Sequence, residues 1–178
     1  MAARNLLARL AGGDRRSLGR ADEIAAEVTK NPRKFPQLIA GLWSDDALVR
    51  MRAADAAEKV TRVHPALLQR YKKELLGLMA ETEQIEVKWH LAAMVTRLRL
   101  AADEQRRALA MLRGYLEDRS AIVRVFALQA LADLAQWDAR LRDGVIELLR
   151  EAAQSGTASL RARSRKLLAR MEKDFALE

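Results

Sequence analysis

An apolar residue followed by a basic one recurs four times along the chain at nearly constant spacing. The four pairs are Val49-Arg50, Val87-Lys88, Val123-Arg124 and Leu160-Arg161, separated by 38, 36 and 37 residues. Eleven residues before each pair lies a leucine, in the order Leu38, Leu76, Leu112 and Leu149. A period of this length in a chain with helical apolar spacing is typical of proteins built from repeated pairs of helices.

Helix-breaking residues divide this pattern into separate predicted helices. Asn31-Pro32, Pro36 and His64-Pro65 interrupt the chain, and Pro65 suits the first turn of the helix that follows. The predicted helices cover residues 18–29, 36–43, 46–63, 65–81, 83–99, 103–117, 120–136, 138–154 and 157–175. Each second helix of a repeat is expected to begin at a capping position, namely Asp46, Gln84, Ser120 and Thr157.

Aligning the second helices at the repeated pair sorts their positions into faces. Three positions at i, i+3 and i+7 are apolar in nearly every copy and predict the main core. They hold Ala53, Leu91, Ala127 and Ser164, then Ala56, Met94, Ala130 and Leu167, then Val60, Leu98, Leu134 and Met171. On nearly the opposite side lie Met51, Trp89, Val125 and Ala162. Each second helix is therefore predicted to be sandwiched between neighbours.

The second helices share the form Val-Arg-x-x-Ala-x-x-Ala, which is clearest at residues 49–56 and 123–130. This pattern resembles the HEAT-repeat family of armadillo-like α-solenoids, in its small bacterial type, over about residues 34–175. The resemblance implies an all-α, right-handed α–α superhelix of about four helical hairpins after an N-terminal half-repeat, in a single domain of residues 1–178. It implies capping helices at 1–33 and repeats at approximately 34–63, 65–99, 102–136 and 138–175.

One family feature departs from this pattern. Family members often carry an Asp six residues before the Arg, and here only Asp118 matches, whereas Ser44, Thr82 and Ser155 occupy the other copies. A ladder of Asp–Arg pairs through the whole stack is therefore not expected. The start of a helix is an unfavourable place for a positive charge, so another interaction is expected to favour the recurring basic residue. The resemblance implies that this residue bridges loop groups between repeats.

One face of the second helices remains for solvent, and we call it the polar stripe. It consists of Arg52, Asp55, Lys59, His90, Ala93, Arg97, Phe126, Gln129, Asp133, Arg163, Lys166 and Arg170. Six basic residues on it accompany two acidic ones. Because solenoids bind ligands on the concave surface of their inner helices, this stripe is the predicted partner-binding site. The tryptophans Trp43, Trp89 and Trp137 are predicted to pack in the core rather than to stack on bases.

The amino-acid composition mainly excludes classes of functional site. The chain has no cysteine, which rules out disulfides, thiolate metal sites and a cysteine nucleophile. No phosphate-binding loop, metal motif or nucleophile motif is present, so no cofactor, metal or catalytic residue is predicted and the protein is not expected to be an enzyme. No apolar run approaches ~18 residues, so we expect a cytoplasmic protein without a membrane partner. We also expect the protein to be a monomer.

The net charge of +8 is concentrated at the two ends of the chain. Residues 1–20 carry +4 and residues 157–178 carry +3. A basic balance can attract nucleic acid or acidic proteins. An Ala- and Arg-rich chain is, however, equally typical of a GC-rich genome, so charge alone does not select the partner.

Three functional hypotheses follow from these patterns. The first is a non-catalytic protein–protein interaction scaffold that binds an acidic protein segment on the polar stripe. The alternative is a nucleic-acid-binding protein whose basic last helix contacts phosphates. The third is an enzyme like the HEAT-like alkylpurine DNA glycosylases, for which Asp55 and Asp133 are the only acidic residues on the polar stripe.

Overall fold

The structure is a computed structural model that describes residues 6–14 and 16–175. Within these residues the secondary structure is helical and contains no strand. The all-α prediction is therefore confirmed. The chain forms two compact units, Met1–Arg99 and Leu100–Glu178, and their boundary falls between two predicted repeats. The arrangement of four repeats as one solenoid domain stays a prediction.

The first compact unit is organised around one long central helix. Its α-helices are α1 (Ala21–Lys30), α2 (Phe35–Ala40), α3 (Ala47–Val63), α4 (Lys72–Glu81) and α5 (Ile85–Val95). Short 3₁₀ helices cover Leu6–Arg9, Pro32–Lys34, Gly41–Trp43 and Pro65–Tyr71. Helix α3 packs against α1, α2 and α5, so that almost its whole circumference is covered.

The second compact unit repeats this arrangement with four α-helices. They are α6 (Ala102–Leu116), α7 (Ala121–Trp137), α8 (Arg142–Ser155) and α9 (Ala158–Phe175), with a 3₁₀ helix at Ala139–Leu141. Helix α7 packs against α6, α8 and α9, and α8 packs closely along α9. Within the described part of the chain, no helix combines the length and apolar character needed to cross a bilayer.

Most predicted helix boundaries agree with the structure to within a few residues. The clearest error concerns the predicted helix 83–99, because α5 ends at Val95. The amides of Arg97 and Leu98 bond to Met94 and Val95, which is the i to i−3 pattern of a tighter turn. The segments that begin at Pro65 and Ala139 likewise start as 3₁₀ helices before they continue as α4 and α8.

The loop before each second helix has a recurring local structure. In three of the four copies, the residue at the family's Asp position accepts a hydrogen bond from the backbone N–H of the capping residue. The pairs are Ser44 with Asp46 at 3.2 Å, Thr82 with Gln84 at 3.3 Å and Asp118 with Ser120 at 2.8 Å. The capping positions are thus as predicted for α3, α5 and α7. A bond from the helix backbone to the capping side chain forms at Asp46 but not at Gln84 or Ser120.

The prediction that the basic member of the repeated pair bridges the loops of successive repeats is confirmed for Arg50. Arg50 donates from Nη1 to the Ser44 carbonyl at 2.7 Å and from Nε to Gln84 Oε1 at 2.8 Å, in the loop of the next repeat. Arg161 donates to the Gly156 carbonyl at 2.8 Å. These bonds account for the basic residue at the start of α3 and α9. They do not extend to Arg124, whose Nε is buried without a hydrogen-bond partner among the described residues.

The predicted core positions are buried in both compact units. All twelve residues of the three core positions are at most 9% exposed, and so are Leu38, Leu76, Leu112 and Leu149. The opposite face differs between copies: Met51 is buried, Trp89 and Val125 are half-buried, and Ala162 is exposed. The sandwiched arrangement is therefore found for α3 and not for α9.

Candidate functional site

The structure divides the polar stripe into residues that are accessible and residues that are not. Three of its members are buried, contrary to prediction: Arg52 and His90 are 2% exposed and Asp55 is 6% exposed. Lys59, Arg97, Phe126, Gln129, Asp133 and Arg170 are half-buried, and Arg163 and Lys166 are exposed. Only the part of the polar stripe in the second compact unit is accessible enough to be a candidate binding surface.

Arg52 is buried because the N-terminal segment folds over it. Its Nη1 donates to the carbonyls of Leu10 at 2.7 Å and Gly12 at 2.5 Å, and its Nη2 donates to those of Asp14 at 3.1 Å and Ser17 at 3.0 Å. The guanidinium thus binds four backbone carbonyls of one short segment. Arg52 holds this segment against α3 and is not available to a partner.

The same segment contains glycines that the arrangement requires. Gly12, Gly13 and Gly19 have φ values of 77°, 81° and 53°, in the left-handed region that favours glycine. A Cβ atom at Gly19 would lie 2.8 Å from Cζ of Arg52. The segment can therefore wrap closely around the guanidinium only with a glycine at this position.

Asp55 is buried between Lys59 and His90. Lys59 donates to Asp55 Oδ2 at 2.7 Å and also bonds to Asp22 on α1. His90 Nε2 lies 3.5 Å from Asp55 Oδ1, and its Nδ1 lies 2.5 Å from the Glu86 carbonyl. Burial alone would raise the pKa of Asp55, but hydrogen bonds from His90 and Lys59 hold this pKa below its ordinary value.

The first compact unit contains a second buried carboxylate, Glu58, which was not predicted as part of the polar stripe. Glu58 is 4% exposed and pairs with Arg62 at 2.6 Å and with Arg97. Arg97 also donates to Thr61 Oγ1 at 2.8 Å. Burial would raise the pKa of Glu58, but the hydrogen bonds from Arg62 and Arg97 lower it overall. The i, i+4 spacing of Glu58 and Arg62 is the signal in the sequence that could have indicated this pair.

In the second compact unit the polar stripe forms a connected surface on α7 and α9. Asp133 Oδ1 accepts hydrogen bonds from Arg170 and from Gln129, each at 2.8 Å. Gln129 Oε1 in turn accepts from Arg163 Nη1 at 2.9 Å. Two polar residues of α7 therefore position two arginines of α9. We call Phe126, Gln129, Asp133, Arg163, Lys166 and Arg170 the α7–α9 face.

The charge on the α7–α9 face is unbalanced. Arg163, Lys166 and Arg170 follow one another at i, i+3 and i+7, which places three cations along ~10 Å of one helix face. Asp133 is the one carboxylate on this face. Lys166 is exposed and has no hydrogen-bond or ion-pair partner among the described residues. The α7–α9 face thus has a net positive charge, and hydrogen bonds to α7 hold its two arginines in place.

Two tryptophans predicted to pack in the core are exposed. Trp137, the last residue of α7, is 88% exposed, and Trp43 is 45% exposed. Trp89 is half-buried and stacks on the His90 ring with centroids 3.3 Å apart. The error at Trp137 arises because the chain turns away into the 3₁₀ helix at Ala139–Leu141, and the indole remains in solvent.

The structure also bears on metal binding and on the glycosylase hypothesis. Among residues 6–14 and 16–175, no group of three or more histidine, aspartate or glutamate side chains is placed to hold a metal ion. The two carboxylates of the glycosylase hypothesis are both engaged with cations, Asp55 with Lys59 and Asp133 with Arg170. No protein-family model matches the chain, and no curated protein matches it.

Proposed function

We propose that the protein is a non-catalytic interaction module whose α7–α9 face binds an acidic protein segment. The observation that carries this proposal is the row Arg163, Lys166 and Arg170. Gln129 and Asp133 hold the two arginines, and Lys166 between them has no partner in the described part of the chain. Cations that are held before binding lose less side-chain entropy when they meet a carboxylate.

The spacing of these cations favours an acidic helix or extended peptide over nucleic acid. Carboxylates at i, i+3 and i+7 of a partner helix would match the row on α9. A nucleic-acid surface usually adds exposed aromatic residues for stacking, and the one aromatic residue on the α7–α9 face, Phe126, is half-buried. Nucleic acid remains the alternative because α9 carries six basic residues.

We also propose that the four repeats belong to the HEAT-repeat family. The support is the recurrence of both side chains and contacts: the buried leucines, the capping positions and the loop bonds of Arg50 and Arg161. We further propose that the protein acts in the cytoplasm as a scaffold without a cofactor, since repeat proteins present extended binding surfaces.

A peptide-binding measurement tests the α7–α9 face. The probe is a fluorescein-labelled 15-residue Ala-rich helix with Glu at i, i+3, i+7 and i+10, titrated by anisotropy at low salt. We expect Arg163→Glu with Lys166→Glu to weaken its binding by ~10-fold or more, since each contact changes from attraction to repulsion. The matched control is Arg107→Glu with Arg113→Glu, two exposed residues on α6 that change the net charge equally.

Two results would contradict the proposal. Equal weakening by both double variants would mean that the peptide senses only the overall charge. Tighter binding of a 15-nucleotide single-stranded DNA than of the peptide, lost in the α9 variant, would assign the face to nucleic acid instead. A peptide that does not bind the unmodified protein at all would reject the acidic-segment proposal directly.

A further inference from the structure

A cleft of about 150 Å³ opens in the second compact unit, away from the α7–α9 face. Leu116 and Glu117 at the end of α6, Leu128 on α7, and Leu148 and Glu151 on α8 line it, and Leu160 of α9 closes one side. None of these residues belongs to the α7–α9 face. Any ligand of the cleft is therefore separate from the partner proposed above.

The floor of the cleft is aliphatic, and the volume of the cleft limits the size of the group it can hold. Leu128 is 1% exposed, and the side chains of Leu116, Leu148 and Leu160 are half-buried around it. An apolar cavity of about 150 Å³ can hold benzene, so this cleft accommodates roughly five or six carbon atoms. A longer side chain than alanine or valine is needed to fill it, and an apolar one is favoured.

The rim of the cleft is negative. Glu117 and Glu151 are exposed, and among the described residues neither carboxylate has an ion-pair or hydrogen-bond partner. The C-terminal ends of α6 and α8 also meet here, and helix C-termini carry partial negative charge. One cation is already at this edge, because Arg161 donates to the Gly156 carbonyl at 2.8 Å. A cation that reached this rim would meet two carboxylates without a described partner and two helix ends.

We propose that this cleft binds a lysine side chain presented by a partner protein. Lysine combines a stem of four methylene groups, which can lie along the leucine floor, with an ammonium group that can reach Glu117 and Glu151 at the rim. Arginine carries a broad planar head on a shorter stem, which would bring polar N–H groups against the leucines. A free alkylamine would leave the open side of the cleft uncovered, whereas the backbone of a partner chain covers it.

The test compares lysine with norleucine, a neutral analogue that keeps the four-carbon stem and lacks the ammonium group. The 178-residue chain is titrated with a nine-residue Gly-Ser peptide that carries one central lysine, and NMR spectra of the leucine methyl groups detect binding. Parallel titrations use norleucine or arginine at that position, and free pentylamine. We expect millimolar affinity for the lysine peptide, shifts at Leu116, Leu148 and Leu160, and norleucine binding at least ~3-fold weaker.

Two variants of the protein separate the charge from the apolar floor. Glu117→Gln with Glu151→Gln is expected to make lysine and norleucine bind equally, and Ala152→Leu, which adds bulk to a lining residue, is expected to weaken both. The matched control is Glu172→Gln, an exposed glutamate on α9 that does not line the cleft. Thermal unfolding of each variant confirms that the fold is retained.

Four results would overturn the assignment. Two concern the unmodified protein: equal affinity for the lysine and norleucine peptides, or tighter binding of the arginine peptide or free pentylamine. The third is an unchanged preference for lysine in the double glutamine variant. The fourth is no methyl shift up to ~20 mM peptide, a concentration at which millimolar binding is visible. None of these measurements involves the α7–α9 face, so they can fail while the proposed function holds.

Discussion

Replacement of Arg52 by alanine tests how far one buried side chain organises the first compact unit. The substitution removes five hydrogen bonds to four carbonyls, of which only the bond to Leu10 is fully buried. A charge-assisted bond contributes ~1.5–3 kcal/mol when buried, whereas carbonyls that regain water lose only ~0.5–1 kcal/mol each. The expected loss in the free energy of unfolding is therefore ~3–6 kcal/mol.

The assay should report on the first compact unit alone. Trp43 and Trp89 lie in this unit and Trp137 in the other, so urea denaturation followed by tryptophan fluorescence in a Trp137→Phe background isolates the transition of interest. Arg52→Lys should recover only part of the loss, because an ammonium group cannot reproduce the planar fork that bonds four carbonyls. Arg33→Ala, at an exposed arginine, is the control and should have little effect.

Limited proteolysis gives a second measure of the same contact. If Arg52 holds the N-terminal segment against α3, trypsin should cleave the variant at Arg16 and Arg20 faster than it cleaves the unmodified protein. A loss of stability below ~1 kcal/mol, which is less than one buried charge-assisted bond, would refute the reasoning if cleavage rates also stayed the same.

Three further predictions concern a glycine, a core leucine and a buried carboxylate. Gly19→Ala should destabilise the protein by ~1–2 kcal/mol or more, because its φ of 53° is unfavourable for alanine and its Cβ would meet Arg52; Gly77→Ala, in open helix surface, should instead be neutral or stabilising in the same urea experiment. Leu112→Ala should cost ~2–5 kcal/mol by urea denaturation, and a loss below ~1 kcal/mol would contradict the repeat alignment. Glu58 has a lowered pKa, so its contribution is present above its unfolded pKa of about 4.3 and lost as pH falls through the folded value. Glu58→Gln should therefore lower the melting temperature at neutral pH and make it fall less steeply between about pH 5 and pH 3; a parallel pH profile for both proteins would reject this.

The helices and the core could be predicted because their signals are local and repeated. Proline, asparagine and capping residues mark helix ends within a few positions, and the leucine eleven residues before each basic pair is buried in every copy. Aligning four copies also averages out exceptions such as Ser164, a polar residue that is 0% exposed at a core position and bonds to the Leu160 carbonyl.

The polar stripe could be predicted only in part because the copies differ in what covers them. Arg52 and Arg163 hold the same position in the repeat, yet one is bonded to a segment 35 to 42 residues away and the other is exposed. Periodicity describes what copies share, and it contains no information about a non-repeated segment that folds over one of them. The pairing of Asp55 with His90 between α3 and α5 was missed for the same reason.

The close approach of Gly19 to Arg52 makes the two positions depend on each other. The space that a side chain at position 19 would need is filled by the guanidinium, so a smaller residue at position 52 would leave room for it. Gly19→Ala should then be less destabilising in the Arg52→Ala background than in the unmodified protein. The two losses in the free energy of unfolding should therefore not add. The φ of 53° at Gly19 would still disfavour alanine without Arg52, so only the steric part of the loss should disappear.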